Sequence, residues 1–190
     1  LAQALPEAVA APGAAALWDT PVAGTARDGR HFSFTWFSSG GVGAMKGRDG
    51  LSATAYPSGI AGVPVEVMET LAPLVIRRRE LRPDSGGRGR NRGGLGQAWE
   101  VELLTDEPFL FSGLYERCER GAPGLAGGEA GAPGRLSASG GAALRPKITT
   151  WLPAGTVVTI ELPGGGGHGP AAERAPEAVA EDIADGYVTR

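Results

Sequence analysis

One cysteine, two histidines and two methionines are present in 190 residues, and each scarcity excludes something. Cys118 has no partner for an intrachain disulfide, which points to a reducing compartment and a cytoplasmic protein. His31 and His168 lie far apart in sequence, so a histidine-rich metal centre built by this chain alone is excluded, and carboxylates are the plentiful hard ligands. No apolar run approaches the ~18 residues of a membrane span. A net charge of −3 excludes nucleic-acid binding driven by overall charge. The opening residues lack an initiator Met, a basic n-region and an apolar h-region, so they are not a signal peptide. A start at Leu1 reads as a piece of something longer. Neither a G-x-x-x-x-G-K-[ST] phosphate loop nor a G-x-S-x-G nucleophile elbow occurs.

Glycine and proline are abundant instead: 32 and 15 residues, about a quarter of the chain. With 42% hydrophobic residues the composition stays on the folded side, and one soluble core is expected. Residues 1–26 form an Ala/Pro-rich segment, of which 1–17 is fit for one or two short helical turns, followed by a domain over 27–190. The Asp28-Gly29 turn signal precedes Phe32-Ser-Phe-Thr-Trp-Phe37, a strand by composition. Val65-Glu-Val-Met-Glu-Thr-Leu71 follows Pro64 and predicts a two-turn helix with Glu66 and Glu69 on one face. Leu74 to Arg82, Ala98 to Leu103 and Phe109 to Tyr115 read as three strands of one antiparallel sheet. Two further strands, Ile148 to Leu152 and Thr156 to Leu162, flank Pro153-Ala-Gly155 as a tight hairpin. Residues 121–143 read as a long irregular loop, and a helix starts at Pro176 and stops at Asp185-Gly186. The expected fold is mainly β (α+β): antiparallel strands with Gly-rich loops, one short internal helix and a C-terminal helix.

Three glycine-rich segments carry the functional signal. In Asp84-Ser-Gly-Gly-Arg-Gly-Arg-Asn-Arg-Gly-Gly-Leu-Gly96 and the run before it, seven arginines between positions 77 and 92 face Glu80 and Asp84, a local charge of +5. Three readings are open: an RGG-type RNA segment, a glycine-rich turn with solvated arginines, or an Arg/Gly loop facing an anionic substrate, a phosphate or a partner's carboxylates. Pro163-Gly-Gly-Gly-Gly-His-Gly169 matches G-x-G-x-x-G formally, but Pro170 and the few remaining residues leave no room for a dinucleotide unit. His168 reads as a packing residue before a catalytic one. Around Pro123-Gly-Leu-Ala-Gly-Gly128, Arg117 and Arg120 flank Cys118, which reads as an inert thiol.

Taken in order, Gly40-Gly-Val-Gly-Ala44 with Asp49-Gly50, Pro64-Val-Glu-Val-Met-Glu69, Glu80-Leu-Arg-Pro-Asp-Ser-Gly-Gly87 with Arg92-Gly-Gly-Leu-Gly96, Pro123-Gly-Leu-Ala-Gly-Gly128 and Pro163-Gly-Gly-Gly-Gly-His-Gly169 resemble the C-terminal part of the hydantoinase B/oxoprolinase family from about residue 27 onward. The tail from Ala178 to Val188 resembles the family's end. The resemblance implies the C-terminal segment of a B-type subunit of an ATP-dependent amidohydrolase that opens cyclic imides or lactams with an ATP-binding A-type subunit, inactive as an isolated chain; the alternatives are a subunit of a related ATP-dependent ketone carboxylase, which uses a similar pair, and a noncatalytic assembly module. It further implies that the metal-binding motif lies in the N-terminal part of the B-type subunit, outside this chain, and that ATP and a divalent metal are bound elsewhere in the complex, with none held by this segment. No catalytic role passes to any residue here. The expected partners are the N-terminal part of the B-type subunit, the A-type subunit and a small cyclic amide, with no nucleic acid and no membrane. Asp84, Ser85, Arg90, Arg92, Arg117 and His168 are the candidates for anion or partner contact. Partner contact is also the expected source of order for residues 121–143 and the Ala-rich start.

Overall fold

The computed structural model describes residues 4–189 and consists of two antiparallel sheets with a shared core. The first sheet has the order β2-β1-β5-β8, with β1 at Trp18–Thr25, β2 at His31–Ser38, β5 at Phe109–Leu114 and β8 at Lys147–Leu152. The second has the order β3-β4-β9-β6-β7, from β3 (Leu74–Leu81), β4 (Gln97–Leu103), β9 (Val157–Glu161), β6 (Arg135–Ala138) and β7 (Ala142–Ala143). Period-two alternation turns Trp18, Val22, Trp36, Phe109 and Phe111 of the first sheet toward Leu74, Trp99, Val101, Val158 and Ile160 of the second. Helix α1 (Val65–Leu71) adds Met68, its one buried residue, to this core.

Both predicted helices form. Glu69 of α1 ties the helix to β3, since its Oε1 accepts the Ile76 N–H at 2.8 Å, beside the irregularity between Ile76 and Arg78 that interrupts the β3–β4 ladder. Helix α2 (Pro176–Ala184) begins on its proline and ends where Gly186 takes φ +72°, the left-handed closure that the Asp185-Gly186 pair signals.

Four expectations are corrected. β5 does not join β3 and β4; it pairs with β1 and β8 in the other sheet. Pro153-Ala-Gly155 is not a hairpin loop. It carries the chain from β8 in one sheet to β9 in the other, closed by the Thr156 Oγ1–H to the Pro153 carbonyl at 2.7 Å. Residues 121–143 contain β6 and β7, and Leu136 of β6 enters the core. Within the Ala/Pro-rich start lies β1, hydrogen-bonded to neighbours on both sides. Pro21 within β1 has no N–H to donate to a ladder. The structure accommodates it where the β1–β5 partners skip from Asp19 to Val22.

Between and beyond the sheets, glycine segments lie side by side as threads. Residues 163–167 are the central one. The Gly164 and Gly167 N–H groups donate to the Ala132 and Glu129 carbonyls, Gly165 to Gly94, and Gly166 to Pro12, all between 2.9 and 3.2 Å. The carbonyls of Pro163 and Gly166 accept from Gly41 and Ala44, and those of Gly165 and Gly167 from Gly87 and Leu125. Partners recur every third residue, the period of an extended three-fold helix that makes no internal hydrogen bonds and must satisfy its backbone laterally. This lattice orders residues 121–131 and the Ala-rich start through backbone contacts of the chain itself, so the expectation that a partner must supply that order is corrected.

Candidate functional site

Glycine is required in the lattice by proximity. A Cβ on Gly165 would stand 2.1 Å from the Val42 carbonyl oxygen, and one on Gly164 1.8 Å from that of Ser85, distances no side chain can occupy. Packing backbone against backbone leaves no room for core side chains, so the lattice is held at its edge by side chains from the C-terminal segment.

That edge is an ionic cluster. Arg92 is 7% exposed; its Nε–H donates to Asp182 Oδ1 at 3.1 Å, one of its terminal N–H groups to the Gly93 carbonyl at 2.8 Å, and the guanidinium lies 4.9 Å over the Tyr187 ring. Arg174 donates to the other Asp182 oxygen at 3.0 Å and to both oxygens of Asp49 at 3.0 and 2.8 Å. The Arg92 backbone N–H meets Asp49 Oδ1 at 2.7 Å. Burial acts to raise the Asp49 carboxyl, but the Arg174 guanidinium, the Arg92 N–H and the two positive charges outweigh it and hold the group below the usual carboxylate range. Arg174 is raised in turn by its bond to Asp49. Two cations and two carboxylates thus neutralise one another, which suits clamping.

The predicted site residues divide around this cluster. Asp84, at φ +58°, accepts the Thr189 N–H at 3.0 Å and its hydroxyl at 2.7 Å, so its carboxylate holds the C-terminal segment and does not cap its own Ser-Gly-Gly turn. Ser85 is fully buried, donating to the Arg82 carbonyl at 2.6 Å and accepting the Gly96 N–H at 2.9 Å. Arg90 is exposed and paired with Glu173. His168 is buried and exchanges two backbone hydrogen bonds with Asn91, at 2.9 and 3.0 Å. Asp84 and Arg92 share a cleft of about 460 Å³ with Arg88, Arg174, Asp182 and Thr189.

Arg117 lies apart from these. It takes φ +58° and lines a second cleft, of about 700 Å³, with Cys118, Arg120, Arg145 and Lys147. Burial, reinforced by Glu116 and Glu119, pushes the Cys118 thiol up to about 11, the opposite of activation by the flanking arginines.

Sequence reasoning missed Asp49, Arg174 and Asp182 as members of the cluster. Asp49-Gly50 was visible as a motif, but nothing local connects it to a guanidinium 125 residues away. Among the described residues no group of three or more His, Cys, Asp or Glu is placed to hold a metal ion, and no helix is long and apolar enough to cross a membrane.

Comparison with known proteins accounts for the lattice and its motifs together. The chain superimposes over 98% of its length on an ATP-dependent caprolactamase from Pseudomonas jessenii, with a TM-score of 0.82 and 29% identity, and covers 34% of that chain. It is 32% identical over 158 residues to the 5-oxoprolinase PfmaA of Pestalotiopsis fici, covering 78% of this chain and 12% of that one. To the acetone carboxylase alpha subunit of Xanthobacter autotrophicus it is 31% identical over 196 residues, 80% of this chain and 24% of the other. It therefore spans about a quarter or less of the curated relatives it matches. The hydantoinase B/oxoprolinase family model matches residues 1–171, including the Ala/Pro-rich start that the motifs left out, and the chain belongs to that family.

Proposed function

We propose that this chain is the C-terminal β-rich segment of a B-type subunit in an ATP-dependent amidohydrolase that opens a cyclic imide or lactam together with an ATP-binding A-type subunit. The superposition on the caprolactamase over nearly the whole chain carries the reading. The segment supplies a rigid frame, because a lattice clamped by the Asp49–Arg92–Arg174–Asp182 cluster holds its loops in place. ATP and a divalent metal belong to the rest of the complex on this reading, and no chemical step of this segment is derived through them. Arg90, which is exposed, and Arg117, which is half-buried at the wall of the second cleft, are the residues proposed to meet an anion or a partner in the assembled enzyme. A cytoplasmic location goes with the same reading.

A second reading, an ATP-dependent ketone carboxylase, is favoured by the acetone carboxylase match. The discriminating experiment assays the assembled enzyme with ATP against hydantoin, 5-oxoproline and caprolactam, and against acetone with bicarbonate. Nucleotide hydrolysis coupled to ring-opened product supports the amidohydrolase. Bicarbonate-dependent product from acetone, with no ring opening, replaces it by the carboxylase.

A further inference from the structure

The two sheets present opposite outer faces to their surroundings. On the second sheet the outward side chains are laced with ion pairs: Arg77 with Glu102, Arg78 with Glu80 and Glu100, and Arg82 with Glu161. That is a face made for water. On the first sheet the outward positions carry Phe37, Leu114 and Trp151 at 52%, 55% and 63% exposure, with Leu110 beside Trp151; the polar positions among them are mostly uncharged hydroxyls, Ser33, Thr35, Ser112 and Thr149, and Asp19 and Lys147 are the acidic and basic residues. The register places Phe37, Asp19, Leu114 and Lys147 in one row across all four strands. An antiparallel sheet that faces water alternates apolar inside with polar outside; an outer face that exposes three large hydrophobic side chains and few charges marks a contact surface.

We propose that this outer face is the surface on which the remainder of a B-type chain packs, with a carboxylate-bearing edge of that remainder seated in the cleft of Arg117, Arg120 and Arg145. The inference rests on the reading given under Proposed function and goes beyond it by naming the surface and the occupant. Three observations select the occupant. About two thirds of the caprolactamase chain lies outside the part that this chain matches, so a large body of the same kind of polypeptide has to pack against the common fold. The face is depleted of charge, as in permanent interfaces that resemble a divided core and unlike transient ones. Lys147 carries the face into the second cleft, where it is paired with Glu116 at 2.8 Å, while Arg117, Arg120 and Arg145 together outnumber Glu119.

The test uses the assembled enzyme with a photoreactive p-benzoylphenylalanine in place of Trp151 and, separately, in place of Leu114. Both side chains are exposed, so neither replacement opens the core. Cross-links from both positions to B-type polypeptide outside residues 1–190 are the expected result. Cross-links to the A-type subunit or to a second copy of this segment overturn the occupant, and absence of cross-links at both positions overturns the surface. Charge reversal by Arg120→Glu with Arg145→Glu should lower the yield from position 114 at least threefold; an unchanged yield removes the acidic edge from the proposal. The same preparation is assayed for ATP-dependent ring opening. Ring opening with cross-links elsewhere defeats the surface alone, whereas the expected cross-links without ring opening or carboxylation defeat the functional reading alone.

Discussion

Arg92 and Asp182 stand 90 residues apart in sequence and 3.1 Å apart in space, with less than a tenth of either side chain exposed. The Arg/Gly segment that looks like an external anion site therefore meets an anion of its own chain, and the pair joins the edge of the glycine lattice to helix α2.

Arg92→Ala is expected to lower the unfolding free energy by about 3 kcal/mol, because it strips one guanidinium from a buried carboxylate and leaves the Gly93 carbonyl without its side-chain donor. Arg90→Ala, whose pair with Glu173 is half exposed, should cost under ~1 kcal/mol. Urea denaturation of both variants checks the order. Equal losses would mean that the buried cluster is not what holds the segment.

Gly165→Ala should be far more damaging than its small size suggests, since its Cβ must displace the Val42 carbonyl from 2.1 Å. A loss above ~3 kcal/mol, or failure to accumulate folded protein, is expected. Gly141→Ala, with φ +80° and open space around it, should cost only about 1 kcal/mol of backbone strain. A thermal melt in which Gly165→Ala behaves like Gly141→Ala would contradict the close packing of the threads.

Acid should loosen the C-terminal clamp. The folded-state carboxyl of Asp49 lies below its unfolded value of about 3.9, so its stabilising contribution is complete above that pH and fades as the pH falls toward the folded value. Denaturation midpoints measured from pH 6 down to 3 should fall mainly below about pH 4. In Asp49→Asn the overall stability should be lower and this part of the slope reduced. A slope identical to wild type would exclude Asp49 as its source.

Cys118 should react slowly with iodoacetamide at pH 7.5, because a thiol titrating at about 11 is less than about one part in 10³ ionised there. The rate should climb roughly tenfold per pH unit up to the limit set by alkaline unfolding. Rapid labelling at neutral pH would show that Arg117 and Arg120 activate the thiol after all.

Short-range chemistry was legible from the residues. Pro64 and Pro176 set where the two helices begin, Asp185-Gly186 where the second ends, and the aromatic composition of β2 and the alternation in β4 marked strands because each signal acts within a few residues. Ordered glycine motifs also carried the family, since most of these glycines answer a backbone contact that leaves no space for a Cβ.

Which sheet each strand joins was decided by the tertiary structure. Pro153-Ala-Gly155 has the composition of a hairpin loop whether it returns the chain to the same sheet or crosses to the other. β1 lay within the Ala/Pro-rich segment, and the fold absorbs the N–H that Pro21 lacks at an interrupted ladder. The ionic cluster was equally out of reach. Asp49, Arg92, Arg174 and Asp182 are ordinary charged residues until the lattice and α2 bring them together. Sequence alone determined which stretches can be helix, strand or glycine thread, because those choices depend on neighbours along the chain. Pairing of sheets, threads and charges depends on groups up to 125 residues apart, and only packing in three dimensions sets those distances.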